Sequence, residues 1–385
     1  MSEWKIVKLG EICERITSGG TPKANVSSYY YPPIIPWLKT KEVNYCRITE
    51  TENFISEEGL NNSSAKLIAP NSVIVAMYGQ GDTAGRVAIN KIPLTTNQAC
   101  CNLTIDESKA DYEFIYYQLC TLYNKMVSLK AGAAQPNLNA QIIKNLEVKL
   151  PSLLIQHCIA TILSRYDSLI ENYQKQIKLL EEAAQRLYKE WFVDLHFPGH
   201  ETTKIVDGVP EGWEKKLVGD VTPIKTGKKD ANFGTDNGPF PFFTCAQEPI
   251  KAPSYSFDTS AVILAGNGDF NVKLYRGKFE AYQRTYVLEP TNENMLYLLY
   301  FCISENMNRL ATGASGSTIK FLTKGMIESL VIIEPSICVL DSFNQIIEPI
   351  RTQKENLQSQ IRLLTEARDR LLPKIMSGEI EFNFK

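Results

Sequence analysis

The sequence predicts an α+β protein with a pseudo-two-fold internal repeat: two similar mixed α/β domains separated by an antiparallel two-helix coiled coil. Two observations support this prediction. A helical stretch beginning at Glu171, ENYQKQIKLLEEAAQRL, returns at Glu355 as ENLQSQIRLLTEARDRL. The segments that precede the two stretches also resemble each other, more weakly, and carry short β-type runs such as NSVIVAMY and SAVILAG.

The helical repeat extends without a gap over residues 142–187 and 326–371. Roughly a third of these positions are identical, and each copy contains a Pro-Ser step followed by apolar residues in alternating steps of three and four. This spacing is typical of a coiled-coil seam. The predicted seam comprises Ile159, Ile162, Tyr166, Leu169, Tyr173, Gln176, Leu180, Phe343, Ile346, Ile350, Leu357, Gln360 and Leu364.

Two such helices, each about 50 Å long, can bury their apolar stripes by packing on each other. Gln176 and Gln360 fall at equivalent seam positions and would then fix the register. This arrangement would place the two domains at opposite ends of a rod. The alternative is that each helix covers only its own globular domain.

The predicted organisation has five parts. They are a first domain over residues 1–150, a central helix over 151–196, a second domain over 197–335, a C-terminal helix over 336–376 and a tail over 377–385. The two domains share a tryptophan near their start, a G-x-G-D motif (Gly79–Asp82 and Gly266–Asp269), and the similar stretches TTNQACCNL and AYQRTYVL. We therefore expect the chain to repeat one plan twice.

Composition and motifs argue against several classes of protein. Nine cysteines without a C-x-x-C pair, and only three histidines, do not suggest a metal site. There is no phosphate loop, nucleophile elbow or H-E-x-x-H motif, so we predict no catalytic residues and a non-enzymatic chain. No apolar run is long enough to cross a bilayer and the N-terminus lacks a signal core, which predicts a cytoplasmic protein without a membrane partner.

The net charge of −2 does not indicate that the protein binds nucleic acid, but local groups of polar and basic residues do. Arg, Asn and Gln can read base edges, whereas Lys suits phosphate contacts. The candidate DNA-binding residues are Lys39, Lys41, Gln80, Arg86, Asn97, Gln98, Lys225, Lys228, Lys229, Asn267, Lys273, Gln283 and Arg284. Such residues are also common on the surfaces of proteins that bind no nucleic acid.

Several motifs occur in a specific order. They are WKIVKLGEI, GGTP and IPWLKTKEV, then NQACCNL and AGAAQPNLNAQIIKNLEVKLPSL, then YKEWFVDLHFPG and VPEGWEKKLVGDV, and finally YQRTYVL and LLPKIMSGEI. With these motifs the chain resembles the specificity subunits of type I restriction-modification systems, over essentially all of its 385 residues.

The resemblance implies that each domain is a target recognition domain that reads one half of a bipartite, asymmetric sequence in double-stranded DNA. It also implies that the helical pair sets the spacer and docks two modification subunits, which carry S-adenosylmethionine and methylate adenine. Restriction subunits would bring ATP and Mg²⁺ for translocation and cleavage. No cofactor is then expected on this chain itself.

Two departures from the family pattern limit this comparison. The stretch before the first helix reads PSLLIQ, which keeps Gln156 but lacks the usual acidic residue, and the Gln-Pro-Asn segment of the first half (Gln135, Pro136 and Asn137) is replaced by GSTIK in the second. Contacts of that segment are therefore not carried over to the second domain. The alternatives are a self-sufficient fused methyltransferase–endonuclease, a two-ended protein scaffold, or the specificity part of a type IIG/IIB-like enzyme.

Overall fold

The structure is a computed structural model that describes residues 4–130, 137–314 and 320–380. Gln135 and Pro136 lie outside the described residues. The chain divides into two compact units: unit 1 comprises the residues up to Tyr173 and those from Gln360 onward, and unit 2 comprises residues 174–359. The two long helices each contribute to both units.

Unit 1 holds the first ten strands. They are β1 (Lys5–Lys8), β2 (Cys13–Ser18), β3 (Ile35–Leu38), β4 (Cys46–Ile48), β5 (Phe54–Ile55), β6 (Val73–Ala76), β7 (Val87–Asn90), β8 (Thr95–Thr96), β9 (Cys100–Ile105) and β10 (Glu147–Leu150). A five-stranded sheet has the order β2-β9-β6-β7-β4, a three-stranded sheet has the order β5-β3-β8, and β1 pairs with β10.

The first five helices begin in unit 1. They are α1 (Glu57–Asn61), α2 (Tyr112–Thr121), α3 (Tyr123–Ser128), α4 (Ala140–Lys144) and the long α5 (Leu153–Tyr188). Asp111 caps α2 by accepting a hydrogen bond from the Phe114 amide at 2.8 Å. Phe114 is fully buried and belongs to one core with Val75 and Leu103 of the large sheet and Leu163 of α5. The sheet, α2 and the start of α5 therefore share one apolar interior.

Unit 2 holds the second ten strands, four short helices and the first part of a second long helix. The strands are β11 (Ile205–Val206), β12 (Val209–Pro210), β13 (Glu214–Leu217), β14 (Ile224–Thr226), β15 (Phe240–Phe243), β16 (Ile250–Ala252), β17 (Phe257–Ala265), β18 (Val272–Ala281), β19 (Thr285–Leu288) and β20 (Val331–Glu334). The helices are α6 (Val218–Val221), α7 (Leu296–Glu305), α8 (Met307–Gly313), α9 (Lys324–Glu328) and the long α10 (Ile337–Met376). A six-stranded sheet has the order β14-β19-β17-β18-β15-β16, and β13 pairs with β20.

An aromatic cluster forms much of the unit 2 core where α5 ends. Phe192 lies 4.9 Å from Phe343 and 5.8 Å from Trp213, measured between ring centroids. Trp191 is buried beside them. When the spacing of the repeat is continued past its end, Trp191 and Phe192 match Ile375 and Met376, which are buried in the unit 1 core. A pair of buried apolar side chains thus lies at matched positions in both copies, just beyond the end of α5 and at the end of α10.

The strand pairing at the start of each domain is also equivalent. Lys5 of β1 lies opposite Leu150 of β10, and Glu214 of β13 lies opposite Glu334 of β20. Leu150 and Glu334 are matched positions of the ungapped repeat. The predicted α+β class and the twofold repetition of one mixed domain are therefore confirmed.

The sheets differ in one respect that has a local cause. In unit 2 the single long strand β18 pairs with both β17 and β15. In unit 1 the corresponding path is divided into β7 and β8, and Pro93 lies between them. Proline has no amide hydrogen to donate to a ladder, so a strand does not continue through it.

The two G-x-G-D motifs do not occupy equivalent positions in the fold. The amide of Met77 donates to Ala99 and that of Gly266 donates to Arg284, while the carbonyls of Met77 and Gly266 accept from Leu138 and Leu322. Met77, two residues before Gly79, therefore takes the place of Gly266. Both motifs are turn sequences rich in glycine, and such composition recurs without structural equivalence.

The long helices bury a face that differs from the predicted seam. Ile159, Phe343 and Leu357 are buried, and Ile162, Tyr166, Tyr173, Gln176, Leu180, Ile350 and Leu364 are partly buried. The expected burial is wrong at Leu169 and Ile346, each 42% exposed, and at Gln360, which is also exposed. Ile170 and Ile347, one residue later, are buried instead.

This shift follows from the double role of each helix. Ile159 belongs to the unit 1 core and Ile347 to the unit 2 core, so a helix face wider than a two-position seam is buried against the sheets and helices of each unit. An α-helix with 3.6 residues per turn also drifts away from a 3.5-residue pattern. The strict heptad register is therefore not kept.

The helices also contact each other within each unit. In unit 1 the Arg368 guanidinium lies 2.6 Å from Asp167. In unit 2 Lys354 lies 2.5 Å from Glu181, and Phe343 packs against Trp191 just beyond the end of α5. Residue numbers rise from Glu181 to Trp191 in the first segment, while those of their partners on α10 fall from Lys354 to Phe343. The two segments therefore run antiparallel in unit 2. Covering a domain and packing on the other helix thus occur together.

Candidate nucleic-acid interface

One β-turn in unit 1 carries two of the predicted DNA-binding residues. This turn, Asn97–Cys100, is named the unit 1 corner turn. Backbone hydrogen bonds join it to three other segments. They run from Asn97 to Leu38 (3.0 Å), from Cys100 to Asn97 (3.1 Å), from Gly19 to Cys100 (3.1 Å) and from Met77 to Ala99 (2.7 Å). The turn is thereby fixed at the meeting point of three loops.

The same bonds recur in unit 2 around Tyr282–Thr285, the unit 2 corner turn. They run from Tyr282 to Phe243 (2.9 Å), from Thr285 to Tyr282 (2.8 Å), from Gly227 to Thr285 (3.1 Å) and from Gly266 to Arg284 (2.8 Å). The four donor and acceptor positions correspond one to one with those of unit 1. Both turns therefore occupy the same place in the fold.

A glycine lies directly against the backbone at each corner turn. A Cβ atom on Gly19 would lie 2.2 Å from the Thr96 carbonyl oxygen, and one on Gly227 would lie 2.0 Å from the Ala281 carbonyl oxygen. Neither glycine has the left-handed backbone that usually explains this residue. Its role here is the close approach of two backbones.

The side chains around the unit 1 corner turn are polar. Gln98 is exposed and accepts a hydrogen bond from the Thr21 hydroxyl, and Asn97 accepts one from the Cys100 thiol at 3.3 Å. Lys39, next to Leu38, has its ammonium 4.9 Å from the Trp37 ring centroid and 3.0 Å from Asn53 Oδ1. Thr21, in the GGTP motif, was not among the predicted site residues, although its motif was noted.

Three other predicted residues of unit 1 lie outside this network. Lys41 forms an exposed ion pair with Glu52. The Arg86 guanidinium donates to Asp82 at 2.5 Å and to Asn44 at 2.9 Å, and its hydrogen bond holds the pKa of Asp82 below the usual range. Gln80 is exposed in the loop that follows β6. Lys41 and Arg86 thus have partners within the domain already.

In unit 2 the predicted residues gather more closely. The backbone amide of Gln283 donates to the Lys229 carbonyl at 2.9 Å. The side chains of Gln283 and Arg284 are both exposed. Lys228 is exposed next to Lys229, whose ammonium lies 4.4 Å from the Phe233 ring centroid. Four predicted residues therefore surround one turn.

The remaining predicted residues of unit 2 have structural partners. Asn267 accepts a hydrogen bond from the Cys245 thiol at 2.8 Å. Lys273 donates to the Ala246 carbonyl at 2.8 Å, and its burial lowers the pKa of its ammonium. Lys225 pairs with Glu289 at 2.7 Å on the first strand of the large sheet. Lys273 and Asn267 hold the loop at residues 245–246 rather than offer free groups.

A buried ionic network in unit 1 was not anticipated from the sequence. Arg47 of β4, whose side chain is 6% exposed, lies 3.3 Å from Asp167, 3.2 Å from Glu171 and 3.6 Å from Glu113. Arg368 of α10 also binds Asp167. The pKa of the Arg47 guanidinium is raised: burial opposes this shift, and the surrounding acidic groups, including the Tyr117 hydroxyl, outweigh it. The sheet is thereby tied to both long helices within unit 1.

The network in unit 2 is more exposed. Arg276 of β18 lies 3.0 Å from Glu348 of α10, and their side chains are 38% and 48% exposed. The Tyr297 hydroxyl of α7 donates to Glu348 at 2.5 Å. No spacing in the sequence signals either network, because the participating residues come from separate elements.

Neither a metal-binding group nor a membrane-spanning helix occurs in the part of the chain that the structure describes. No group of three or more His, Cys, Asp or Glu side chains in residues 4–130, 137–314 and 320–380 is placed to hold a metal ion. Within the same ranges, no helix has the length and apolar character required to cross a membrane.

Comparison with known proteins gives a consistent result. The family described as the type I restriction modification DNA specificity domain matches residues 1–182 and again residues 210–356. The MjaIX specificity subunit of a type I restriction enzyme from Methanocaldococcus jannaschii is 27% identical over 98% of this chain and 94% of its own length. The EcoDI specificity subunit from Escherichia coli is 36% identical over 45% of this chain and 39% of its own length.

A solved structure has the same fold. The S subunit of a type I restriction-modification system from M. genitalium aligns with a TM-score of 0.63 at 17% identity, over 97% of this chain and 96% of that one. The two family matches together cover well over half of the sequence and coincide with the two copies of the repeated plan. The chain belongs to the type I restriction-modification DNA specificity family.

Proposed function

We propose that this chain is the DNA-reading subunit of a type I restriction-modification complex, and that each unit reads one half of a bipartite, asymmetric target. The observation that carries the proposal is the corner turn. The same backbone hydrogen bonds hold a turn with exposed polar side chains at the same place in both units. Amide and guanidinium groups on a rigid turn are suited to base edges, and nearby lysines to phosphates.

The chemistry is assigned to partners. In this proposal two modification subunits bind S-adenosylmethionine and methylate adenine, and restriction subunits use ATP and Mg²⁺ for translocation and cleavage. This chain only recognises the DNA sequence and binds none of these cofactors. The similar proteins from M. jannaschii and E. coli are themselves named specificity subunits of restriction enzymes, which supports this division of labour.

The long helices are assigned two further tasks, setting the spacer and docking the modification subunits. Leu179 of α5 and Leu363 of α10 are matched positions of the repeat, and they are 55% and 59% exposed. A single exposed leucine is common on any protein surface, but here an exposed leucine occurs at the matched position of both long helices. Their recurrence in both copies supports two equivalent docking sites, one for each modification subunit.

Mapping methylated adenines in DNA from cells that carry this chain and its partner subunits tests the proposal. We expect one split motif, with two defined halves and a spacer of constant length. Purified chain with modification subunits should bind duplexes that contain this motif more tightly than scrambled duplexes. Absence of any sequence-dependent binding or methylation would contradict the proposed function.

Shortening the helices tests the spacer assignment separately. Deleting one heptad from α5 and the matched heptad from α10 removes about 10 Å of helix from each. At 3.4 Å per base pair, the spacer should shorten by about three base pairs. A folded variant that methylates sites of unchanged spacing would show that the helices do not set the gap.

A further inference from the structure

The two corner turns have the same type of residue, glutamine, at one equivalent position. Equating the matched backbone hydrogen bonds pairs Asn97 with Tyr282, Gln98 with Gln283, and Ala99 with Arg284. Gln98 and Gln283 therefore stand at the second position of equivalent β-turns, in domains whose remaining loop residues differ at most positions. The same amide side chain is thus presented at the same point of the fold in both units.

The fold itself does not require glutamine at this position. The second position of a common β-turn tolerates most residues and favours proline. Both glutamine side chains are exposed, so neither fills a core. The backbone bonds that fix each turn involve the neighbouring peptide groups rather than the glutamine side chain. A surface role accounts for the recurrence better than a structural one.

The local chemistry fits a base edge. Thr21 donates its hydroxyl hydrogen to the Gln98 carbonyl oxygen, which orients the amide. An amide oxygen has a second lone pair that can accept another hydrogen bond, and its nitrogen carries two N–H donors. Lys39 is close to the turn in unit 1, since Leu38 bonds to Asn97; Lys228 and Lys229 flank the turn in unit 2. Lysines near an exposed amide are suited to the phosphates that lie beside a base edge. Glutamine pairs bidentately with adenine, accepting from N6 and donating to N7.

We propose that Gln98 and Gln283 are counterpart specificity-determining residues, each of which contacts the major-groove edge of one adenine in its own half of the target. This inference rests on the proposed function and refines it. The differing neighbours, Asn97 with Ala99 in unit 1 and Tyr282 with Arg284 in unit 2, then give each half its own further sequence. One contact is shared, and the flanking contacts diverge.

The test uses the complex of the full chain with its modification subunits and short duplexes that carry the mapped target. Each adenine is replaced in turn by 7-deazaadenine, which removes the N7 acceptor, or by purine, which removes the N6 amino group. Binding is compared for the wild type, Gln98→Ala, Gln283→Ala and a control, Gln141→Ala, an exposed glutamine on α4.

We expect Gln98→Ala and Gln283→Ala to weaken binding by about tenfold to a hundredfold. Each variant should become insensitive to analogue replacement at one adenine of one half, a different half for each variant. The remaining positions should still discriminate, and the control should bind like the wild type. Unchanged amide-exchange protection of each domain excludes misfolding.

Three results would overturn the inference. They are unchanged binding in both variants, a uniform loss that leaves discrimination at every adenine intact, or a loss of discrimination at a base other than adenine. If the wild-type complex discriminates its target normally, these results leave the proposed function standing. If the wild-type complex itself shows no sequence dependence, the proposed function fails with it.

Discussion

Unit 1 and unit 2 share the backbone arrangement around the corner turn but differ in how each sheet is tied to the long helices. In unit 1 a 6%-exposed Arg47 lies among Asp167, Glu171 and Glu113, whereas in unit 2 the pair Arg276–Glu348 is partly open to solvent. The elements that position the turn are the same in both units. The ionic contacts that anchor each domain have changed.

The largest loss of stability is expected when Arg47 is replaced. Arg47→Met leaves three carboxylates with fewer partners, and breaking a buried ion pair costs about 3–5 kcal/mol. We expect the lower end of this range, because Arg368 still pairs with Asp167 and Lys91 with Glu113. Hydrogen–deuterium exchange should show α2 losing protection while α7 in unit 2 serves as the internal reference.

The matched control is Arg276→Met in unit 2. Its partner Glu348 is 48% exposed, so removal of the pair should cost less than about 1 kcal/mol. Protection of α7 should change little, and α2 should be unaffected. Equal losses in the two variants would contradict the difference in burial.

The next effect concerns what the units share. Gly19→Ala and Gly227→Ala each place a methyl group against a backbone carbonyl, and overpacking of this kind costs about 1–3 kcal/mol. We expect both variants to lose stability by similar amounts and to weaken discrimination in one half of the target each. Gly325→Ala, where an added Cβ has open space and the backbone is helical, is the control. If Gly19→Ala lost stability and Gly227→Ala did not, the two corner turns would not be structurally equivalent.

The smallest effect is a pH dependence in unit 2. The hydrogen bonds from Lys225 and Thr259 lower the pKa of Glu289 below its ordinary value of 4.5. A lowered folded-state pKa gives stability above the ordinary value, and this stability is lost as the pH falls through the folded pKa. Because Lys225 is half exposed, Glu289→Gln should cost less than about 1 kcal/mol at pH 7.

Chemical denaturation at pH 7 and at pH values below 4.5 measures this effect. The difference in free energy of unfolding between the wild type and Glu289→Gln should shrink as the pH falls. Lys225→Met should reproduce the neutral-pH loss. A difference that stays constant with pH would contradict the assignment.

Part of this architecture could be predicted from the sequence because the signal is local and repeated. The helix α10 begins one residue after the predicted position and ends at the predicted residue, since an apolar pattern and a Pro-Ser step mark it. The π-helical turn at Lys189–Val193 ends the first helix earlier than its predicted limit at residue 196. The exposed residues Leu169 and Ile346 show that a one-dimensional pattern cannot reveal which neighbours a helix face meets.

The candidate site was predicted less completely for the same reason. Residue type alone predicts Asn97, Gln98, Gln283 and Arg284 as candidates, and the structure places each pair on a corner turn. Residue type also predicts Arg86, but Asp82 and Asn44 already bind it. Residue type indicates what a side chain can do, whereas its partners depend on contacts between distant segments. Those contacts include Gly19 with Cys100, which no local pattern predicts.

We propose that each unit reads its own half of the target independently of the other. Residues 1–150 can be replaced by the corresponding domain of another family member, and methylated adenines mapped in cells with the same partner subunits. We predict that one half of the motif changes, while the other half and the spacer stay the same. A motif in which both halves change, or neither does, would show that the units do not read independently.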